Sequence, residues 1–482
     1  MHIGLVLRIV FILLLIVSFF MLFPILFALY YQEQYMIPYF LIPILMILVF
    51  SVSVLFLTRR TAKTLSTKDG FLLVALSWVC SVLFSSLPFY LSGAIPHFAD
   101  AFFETMSGYT TTGASILTDI ESLTKSILFW RSLTHWLGGM GIVVLTIAIF
   151  PLLGIGAYQL MKAEAPGPTL DKITPKITET AKILWFIYLG LTVAETLLLM
   201  LGGMNLFEAL THTFGTLATG GFSPKNTSVG YFNSAYIDIV ITAFMVMAGM
   251  NFVLYYRLIT GNLKKVFANL EMKVYLGIFL VATLIIAVIL NGRQYNSFGL
   301  SLRYAGFQAA SILTTTGYVT ADFASWPFFA QVVLFILMFI GGCSGSTGGG
   351  IKVIRIVVLF KQGFNEMKYL AHPRSVFSIR LGGETLRKDT VYAISGFFFL
   401  YLFMLMITTF VVASGENDIL TSLASALVTV GNIGPGFGKI GPTKNYAFYP
   451  DYIKWFLSFA MMVGRLEVYT ILVIFTPKFW RE

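Results

Sequence analysis

Four short segments bearing Thr, Ser and Gly recur along this 482-residue chain, each set between long apolar runs. They read SGYTTTGASI around Gly113, THTFGTLATGGFS around Gly221, SILTTTGYVT around Gly317 and LVTVGNIGPG around Gly434, with successive glycines 108, 96 and 117 residues apart. Such segments enter hydrocarbon only where protein or water satisfies their backbone. A repeat of apolar span, short polar segment, glycine and apolar span is what a single-chain cation pore with fourfold pseudosymmetry requires.

Composition agrees. The chain is 57% hydrophobic and only 11% charged, against about 25% charged in an average soluble protein. Ten apolar spans are expected, over 6–30, 36–58, 71–93, 128–153, 183–203, 232–258, 271–291, 327–360, 391–414 and 452–476. The net charge of +10 is unevenly placed. Arg59, Lys68, Lys162, Lys172, Arg257, Lys264, Lys265, Lys361, Arg374, Arg387 and Lys478 fall in alternate connections, and the positive-inside rule puts these, with both termini, in the cytoplasm. The four glycine segments then lie on the outer side. The basic charge reads as topology and not as a nucleic-acid surface. Cys80 and Cys343 both sit in apolar runs, which excludes a disulfide framework or a thiolate metal site. The run from Ile9 to Tyr31 is too long for a signal-peptide core and reads as a retained first helix.

The expected fold is an all-α polytopic membrane protein with two N-terminal helices and four helix–pore loop–helix repeats around one pore. Boundaries fall at 1–69 for the hairpin and at 70–179, 180–265, 266–387 and 388–482 for the repeats. Only the eighth span carries an evident interruption, the Gly-rich run 341–350 (GGCSGSTGGG). Glycine costs about 1 kcal/mol per residue in a helix, so this run breaks it and needs a wet or protein-lined setting.

A pore of this kind replaces an ion's hydration shell with inward-facing oxygens. Glycine permits the backbone conformations that turn carbonyls inward. Neighbouring hydroxyls add ligands or brace the loop, and each short helix aims its negative C-terminal end at the cation. The filter positions are Thr111, Thr112 and Gly113; Thr219, Gly220 and Gly221; Thr315, Thr316 and Gly317; and Asn432, Ile433 and Gly434. In the second loop His212 precedes Gly221 by the spacing that separates Glu104 from Gly113 and Gln308 from Gly317, which favours Gly221 over Gly220. Gly431 and Gly434 are not separated by this reasoning.

The motifs TTTGAS, ATGGFS, TTTGY and GNIGPG, with WLGGMGIVVL at 136–145, KAEAPGP at 162–168 and GGCSGSTGGGIKVIR at 341–355, resemble the TrkH family of bacterial Trk potassium-uptake subunits, in a superfamily with KtrB and plant HKT transporters. The resemblance runs from the first repeat to the last. It implies one filter glycine per loop, with Gly434 in the fourth, and K⁺ as the transported ion. It also implies that the intramembrane run is a gate below the filter, with Gly342, Gly345, Ser346, Thr347 and Gly348 in it and Arg465 beside it. An arginine inside an apolar span is costly and usually functional; pairing with Glu467 or with loop carbonyls is the other reading. Further implications are a homodimer in the bacterial inner membrane and a cytoplasmic TrkA-type nucleotide-binding ring.

Asp100, Glu104, Asp119, Glu121, Asp322, Asp418 and Asp451 lie near the expected outer mouth, where a carboxylate ring would concentrate cations. Individually each also reads as a solvated or capping residue, except Glu104, which falls within the pore helix, and His135 and His212 read as packing residues. The GxGxxG match at 436–441 follows no strand, and no HExxH, GxSxG or calcium-loop motif occurs, so catalysis has no support. Transport down a membrane potential needs none: an entering cation gains about 2.3 kcal/mol per 100 mV. The competing class is a coupled secondary transporter moving K⁺ with Na⁺ or H⁺.

Overall fold

The computed structural model describes residues 1–59, 65–141, 177–374, 378–381 and 384–481. Among them, six helices are long and apolar enough to cross a membrane, and two sharply bent helix pairs pass the same test. Two N-terminal elements, Ile3–Tyr30 and Ile37–Leu57, form a hairpin whose first helix packs against both the second and Thr67–Leu91. The hairpin is locked by its turn. Glu33 accepts hydrogen bonds from the Lys125 and Ser126 amides at 2.7 and 3.0 Å and from Ser126 Oγ at 2.8 Å, so it caps the helix that starts at Lys125. Glu33→Ala should cost about 2 kcal/mol, the scale of hydrogen bonds to a charged group. The check is a melting temperature several degrees lower for the detergent-solubilised protein.

Four repeats follow, each with a leading helix, a short pore helix and a trailing helix. The leading helices are Thr67–Leu91, Ile177–Leu201, Leu270–Leu290 and Lys388–Ala413. The pore helices are Phe98–Tyr109, Leu206–Leu217, Phe298–Leu313 and Ile419–Val430. Three of these have 12 residues and one has 16. At about 1.5 Å per residue they are too short for a hydrocarbon core of about 30 Å, so each enters and turns back. Polar caps start two of them. Asn205 and Glu208 form a reciprocal capping box, and Asp418 accepts from the Thr421 amide at 2.8 Å.

Each leading helix packs on the pore helix that follows it. Pore helices 1, 2 and 3 also pack on the trailing helices of repeats 4, 1 and 2, and Val353–Ala371 of repeat 3 packs on the leading helix of repeat 4, so the repeats close into a ring. Ion pairs cross two of these seams: Asp100–Lys454 at 2.5 Å joins repeats 1 and 4, and Asp238–Arg303 at 2.7 Å joins repeats 2 and 3.

The trailing helices depart most from expectation. The sixth span, expected to run unbroken over 232–258, is two helices, Ala235–Ala248 and Phe252–Ile259, bent by 97°. The first ends at Gly249, and Asn251 caps the second by accepting from the Val253 amide at 2.9 Å. The tenth, expected over 452–476, breaks between Asp451–Arg465 and Val468–Phe475 with a bend of 117°, and Glu467 takes the left-handed conformation there (φ 62°). Arg465 therefore sits at a helix end, where its charge also suits the terminal carbonyls. The eighth span breaks as expected but more widely: helix Phe328–Leu337, an irregular stretch, then Val353–Ala371, which continues eleven residues beyond the expected end at 360. In repeat 1 the helix Lys125–Gly139 ends at the Gly-rich WLGGMG, and the remainder of the expected 128–153 span lies outside the described residues. A two-stranded hairpin, Arg380–Leu381 with Glu384–Thr385, precedes repeat 4.

Candidate ion pathway

Each pore helix ends in a loop with the same unusual backbone. Thr111, Thr219, Thr315 and Asn432 have φ of 53°, 56°, 60° and 55°. Two residues on, Gly113, Gly221, Gly317 and Gly434 have φ of 77°, 79°, 81° and 93°. Left-handed Thr is uncommon and persists only when its surroundings fix it. The residue between the two donates its amide back into the pore helix in every loop: Thr112 to Ser107, Gly220 to Gly215, Thr316 to Ser311 and Ile433 to Val428, all at 2.8–2.9 Å. Gly431 is the C-cap of pore helix 4 with φ −80°, so Gly434 is the counterpart of the other three glycines.

The four loops meet in a closed ring. A Cβ placed on Gly113 would overlap the Gly220 carbonyl oxygen, one on Gly221 the Thr316 oxygen, one on Gly317 the Ile433 oxygen and one on Gly434 the Thr112 oxygen. Every glycine thus abuts the carbonyl that precedes the glycine of the next loop, in the order 1, 2, 3, 4 and back to 1. Glycine is demanded twice over, by φ and by space.

Buried polar groups behind the ring fix the loops. The position nine residues before each glycine carries Glu104, His212, Gln308 or Ser425, all buried. Glu104 accepts from Ser115 Oγ at 2.9 Å and the Ile116 amide at 2.8 Å. His212 Nε2 bonds Ser223 Oγ at 3.0 Å, Gln308 donates to Thr320 Oγ1 at 3.3 Å, and Ser425 meets Tyr449 at 2.6 Å. Glu104 also pairs with Arg131 at 2.7 Å, and Arg131 reaches the second loop through the Ser223 carbonyl at 3.1 Å and lies 3.5 Å over the Phe222 ring. His135 bonds the Gly108 carbonyl at 2.7 Å and supports Gly220 from behind. Tyr446 donates to the Gly434 carbonyl at 2.8 Å, and Asn432 Nδ2 donates to Thr112 Oγ1 at 2.9 Å, linking loops 4 and 1. Thr112 and Thr316 pair with Thr110 and Thr314, while the Thr219 hydroxyl donates to the Ala218 carbonyl.

Above the ring is a vestibule of about 190 Å³ lined by all four loop glycines. Among the described residues no carboxylate lines it, and the charged lining residues are Arg131, Lys225 and Lys444. The carboxylates considered for the mouth are used elsewhere. Glu104 is fully buried behind loop 1, Asp100 is paired with Lys454, and Asp418 and Asp322 cap helical turns. Asp119 and Glu121 grip Asn226 and so tie loops 1 and 2. The Asn226 hydrogen bond, with the Glu121 amide, holds the Asp119 carboxyl below its usual range. Asp451 begins the trailing helix of repeat 4. Lys225 is drawn off by Glu208 at 3.1 Å. The oxygens set against the four glycines are main-chain carbonyls.

On the other side of the ring lies the irregular stretch 338–352. Its ends pair where the Gly341 amide donates to the Ile351 carbonyl at 2.8 Å. The Gly349 amide donates to Thr315 Oγ1 at 2.7 Å, and Gly349 packs against Gly431 and Asn432 of loop 4. Arg465 donates to the Thr347 carbonyl at 2.6 Å and to Gly138 and Gly139 at 2.7 and 2.9 Å. Lys352 donates to the Gly348 carbonyl. Glu467, the partner considered for Arg465, pairs with Arg355 at 2.5 Å. The Cys343 amide donates to the Gly249 carbonyl at 2.8 Å and the Phe252 amide to the Gly345 carbonyl at 3.0 Å. The stretch thus touches repeats 2, 3 and 4 beneath the ring, and Arg465 links it to repeat 1. Gly342, Gly345, Ser346, Thr347 and Gly348 all fall in it. Glu271, which sequence reasoning did not single out, accepts from the Ser344 amide at 2.7 Å and from the Ile354 amide at 3.1 Å.

This architecture defines a polytopic membrane protein of the fourfold pore-loop class. The family model TrkH, described as a cation transport protein, matches residues 36–482, and the chain belongs to that family. It is 44% identical to the Trk system potassium uptake protein TrkH of Salmonella typhimurium over 430 residues, 88% of each chain. It is 40% identical to the protein of the same name from Vibrio parahaemolyticus over 484 residues, 99% of each. The Trk system potassium uptake protein TrkG of Escherichia coli is 35% identical over 95% of each chain. The crystal structure of the potassium transporter TrkH from Vibrio parahaemolyticus superposes over the full length of both chains with a TM-score of 0.89 at 38% identity.

Proposed function

We propose that this chain is the membrane-spanning, ion-conducting subunit of a potassium uptake system, passing K⁺ and Rb⁺ inward through the ring of Gly113, Gly221, Gly317 and Gly434. The closed succession of carbonyls against glycines carries this reading. Four loops with one backbone, each placing a carbonyl beside its neighbour, form a single dehydrating constriction. The rigid polar bracing behind them suits a filter that must keep its oxygens in place when an ion leaves. With no carboxylate among the described residues that line the vestibule, cation preference falls to carbonyl dipoles and to the negative ends of four pore helices.

The stretch 338–352 is the gate in this reading, held shut across the pore by Arg465 through Thr347 and by Thr315 through Gly349. The protein sits in a bacterial inner membrane with both termini in the cytoplasm, works as a homodimer and takes its regulation from a cytoplasmic TrkA-type nucleotide-binding ring. The names of the relatives as Trk-system potassium uptake proteins support the ion and the system.

Liposome flux of K⁺, Rb⁺ and Na⁺ tests the proposal. Wild type should pass K⁺ and Rb⁺ well ahead of Na⁺. Gly113→Ser introduces a side chain at φ 77° against the Gly220 carbonyl and should cut the K⁺/Na⁺ ratio by at least tenfold. Equal ratios in the two proteins would reject the ring as the selectivity element. Uptake strictly stoichiometric with Na⁺ or H⁺ would instead support a coupled carrier.

A further inference from the structure

We infer that Glu271 is the positioning residue that holds the intramembrane stretch in its resting place, clamping it from both sides. The inference rests on the gate reading above and adds the residue that sets the gate's closed position. Glu271 lies in the first turn of Leu270–Leu290, just after the Asn269 cap, and is 7% exposed. Its Oε1 accepts from the Ser344 amide at 2.7 Å and from the Ile354 amide at 3.1 Å. Ser344 opens the Gly-rich apex and Ile354 opens the helix beyond it, so one oxygen gathers the two feet of the stretch. Carboxylate acceptors make hydrogen bonds roughly twice as strong as neutral ones. A run this rich in glycine gains much backbone freedom when a restraint is released.

A second grip lies close by. The Phe252 amide donates to the Gly345 carbonyl at 3.0 Å, and Asn251 packs against Gly345. Phe252 and Glu271 stand at the two ends of one segment that holds the helices Phe252–Ile259 and Leu263–Phe267 and carries Arg257, Lys264 and Lys265. Both ends of this segment therefore hold residues 344–345. Displacing the segment draws both grips away together, which gives a mechanical route from the membrane surface to the gate.

The test uses the full-length protein in liposomes without a partner, with Rb⁺ influx as the readout, comparing Glu271→Ala, Glu271→Gln, deletion of 344–349 and Glu271→Ala within the deletion. Resting flux should rise in the order wild type, Gln, Ala, with Ala about tenfold above wild type. In the deletion background Glu271→Ala should add nothing, because its bond to Ser344 is already gone; a merely structural role would depress flux there too. Hydrogen exchange over 340–355 should lose protection in the same order. Raised flux in the deletion with wild-type flux and exchange in both Glu271 variants would overturn the clamp and leave the gate standing. Wild-type flux in the deletion itself would overturn the gate, and the clamp with it. Should Glu271→Ala fail to fold, Glu271→Gln decides alone: its neutral acceptor should give a severalfold rise in flux and faster exchange, and no change in either would overturn the proposal.

Discussion

Deleting residues 344–349 should raise K⁺ and Rb⁺ flux through the reconstituted protein more than tenfold in the absence of any partner. The deleted residues carry the backbone that lies beneath the ring. They include Thr347, whose carbonyl receives Arg465, Gly348, whose carbonyl receives Lys352, and Gly349, whose amide holds Thr315 Oγ1. Their loss removes the peptide groups that face the ring from below. The fold should survive, because the cut falls between ends that are already adjacent: Gly341 pairs with Ile351, and the Cys343 amide stays on the Gly249 carbonyl. Arg465 keeps its bonds to Gly138 and Gly139, so the break in repeat 4 stays tied to repeat 1. Selectivity among K⁺, Rb⁺ and Na⁺ should change little, since the Glu104, His212, Gln308 and Tyr446 braces lie behind or above the ring, away from the deletion. Arg465→Ala should produce a smaller rise, as it removes one tether and leaves the backbone in place. Tracer influx into liposomes at fixed protein density measures each. Wild-type flux in the deletion would reduce the stretch to a packing kink.

The ring was legible in the sequence because it is built from residue types that chemistry forces. Gly113, Gly221, Gly317 and Gly434 must be glycine on grounds of φ and space, and the recurrence of a loop glycine pointed to four loops around one pore, with Gly434 chosen over Gly431 only by the family resemblance. The break at 341–350 was legible for a similar reason, since a dense glycine run cannot remain helical. The breaks at Gly249 and Glu467 were not, because one glycine or one left-handed residue inside an apolar run leaves hydropathy unchanged. A subtler signal was present. Gly138 and Gly464 each pack against the carbonyl of the last residue of a pore helix, Tyr109 and Val430. Aligning repeats 1 and 4 on these glycines would have marked where their trailing helices end, at Gly139 and Arg465. The outer carboxylates left two readings open because charge near a loop says nothing of direction. Glu104 turns inward to an arginine, and Asp119 turns sideways to Asn226. Its spacing did contain the answer: nine residues before the glycine is a bracing position in every repeat. Glu271 carried no signal, since its role depends on amides far away in sequence.

Arg131→Met should abolish selective flux and sharply reduce the yield of folded protein, the largest single-residue effect expected outside the ring. The side chains of Arg131 and Glu104 are 3% and 0% exposed. Removing the cation leaves a buried carboxylate without its charge partner, at a cost of about 3–5 kcal/mol. The loss reaches the ring by two routes. Glu104 holds loop 1 through Ser115 and Ile116, and Arg131 holds loop 2 through Ser223 and Phe222. The double variant Arg131→Met with Glu104→Gln separates stability from bracing. It removes the charge imbalance, so folded yield and melting temperature should recover most of the way. Loop 2 still lacks its Ser223 tether, so the K⁺/Na⁺ ratio should stay low. Arg131→Lys gives the opposite separation: it keeps the charge near Glu104, but one ammonium on a narrow stem does not span carboxylate and carbonyl as the guanidinium fork does. That variant should fold and conduct with weakened discrimination. Melting curves on purified protein, set beside K⁺ and Na⁺ influx in liposomes, check all three. Full selectivity in the double variant would show that the pair stabilises the fold alone, and that loop 2 keeps its shape without help from repeat 1.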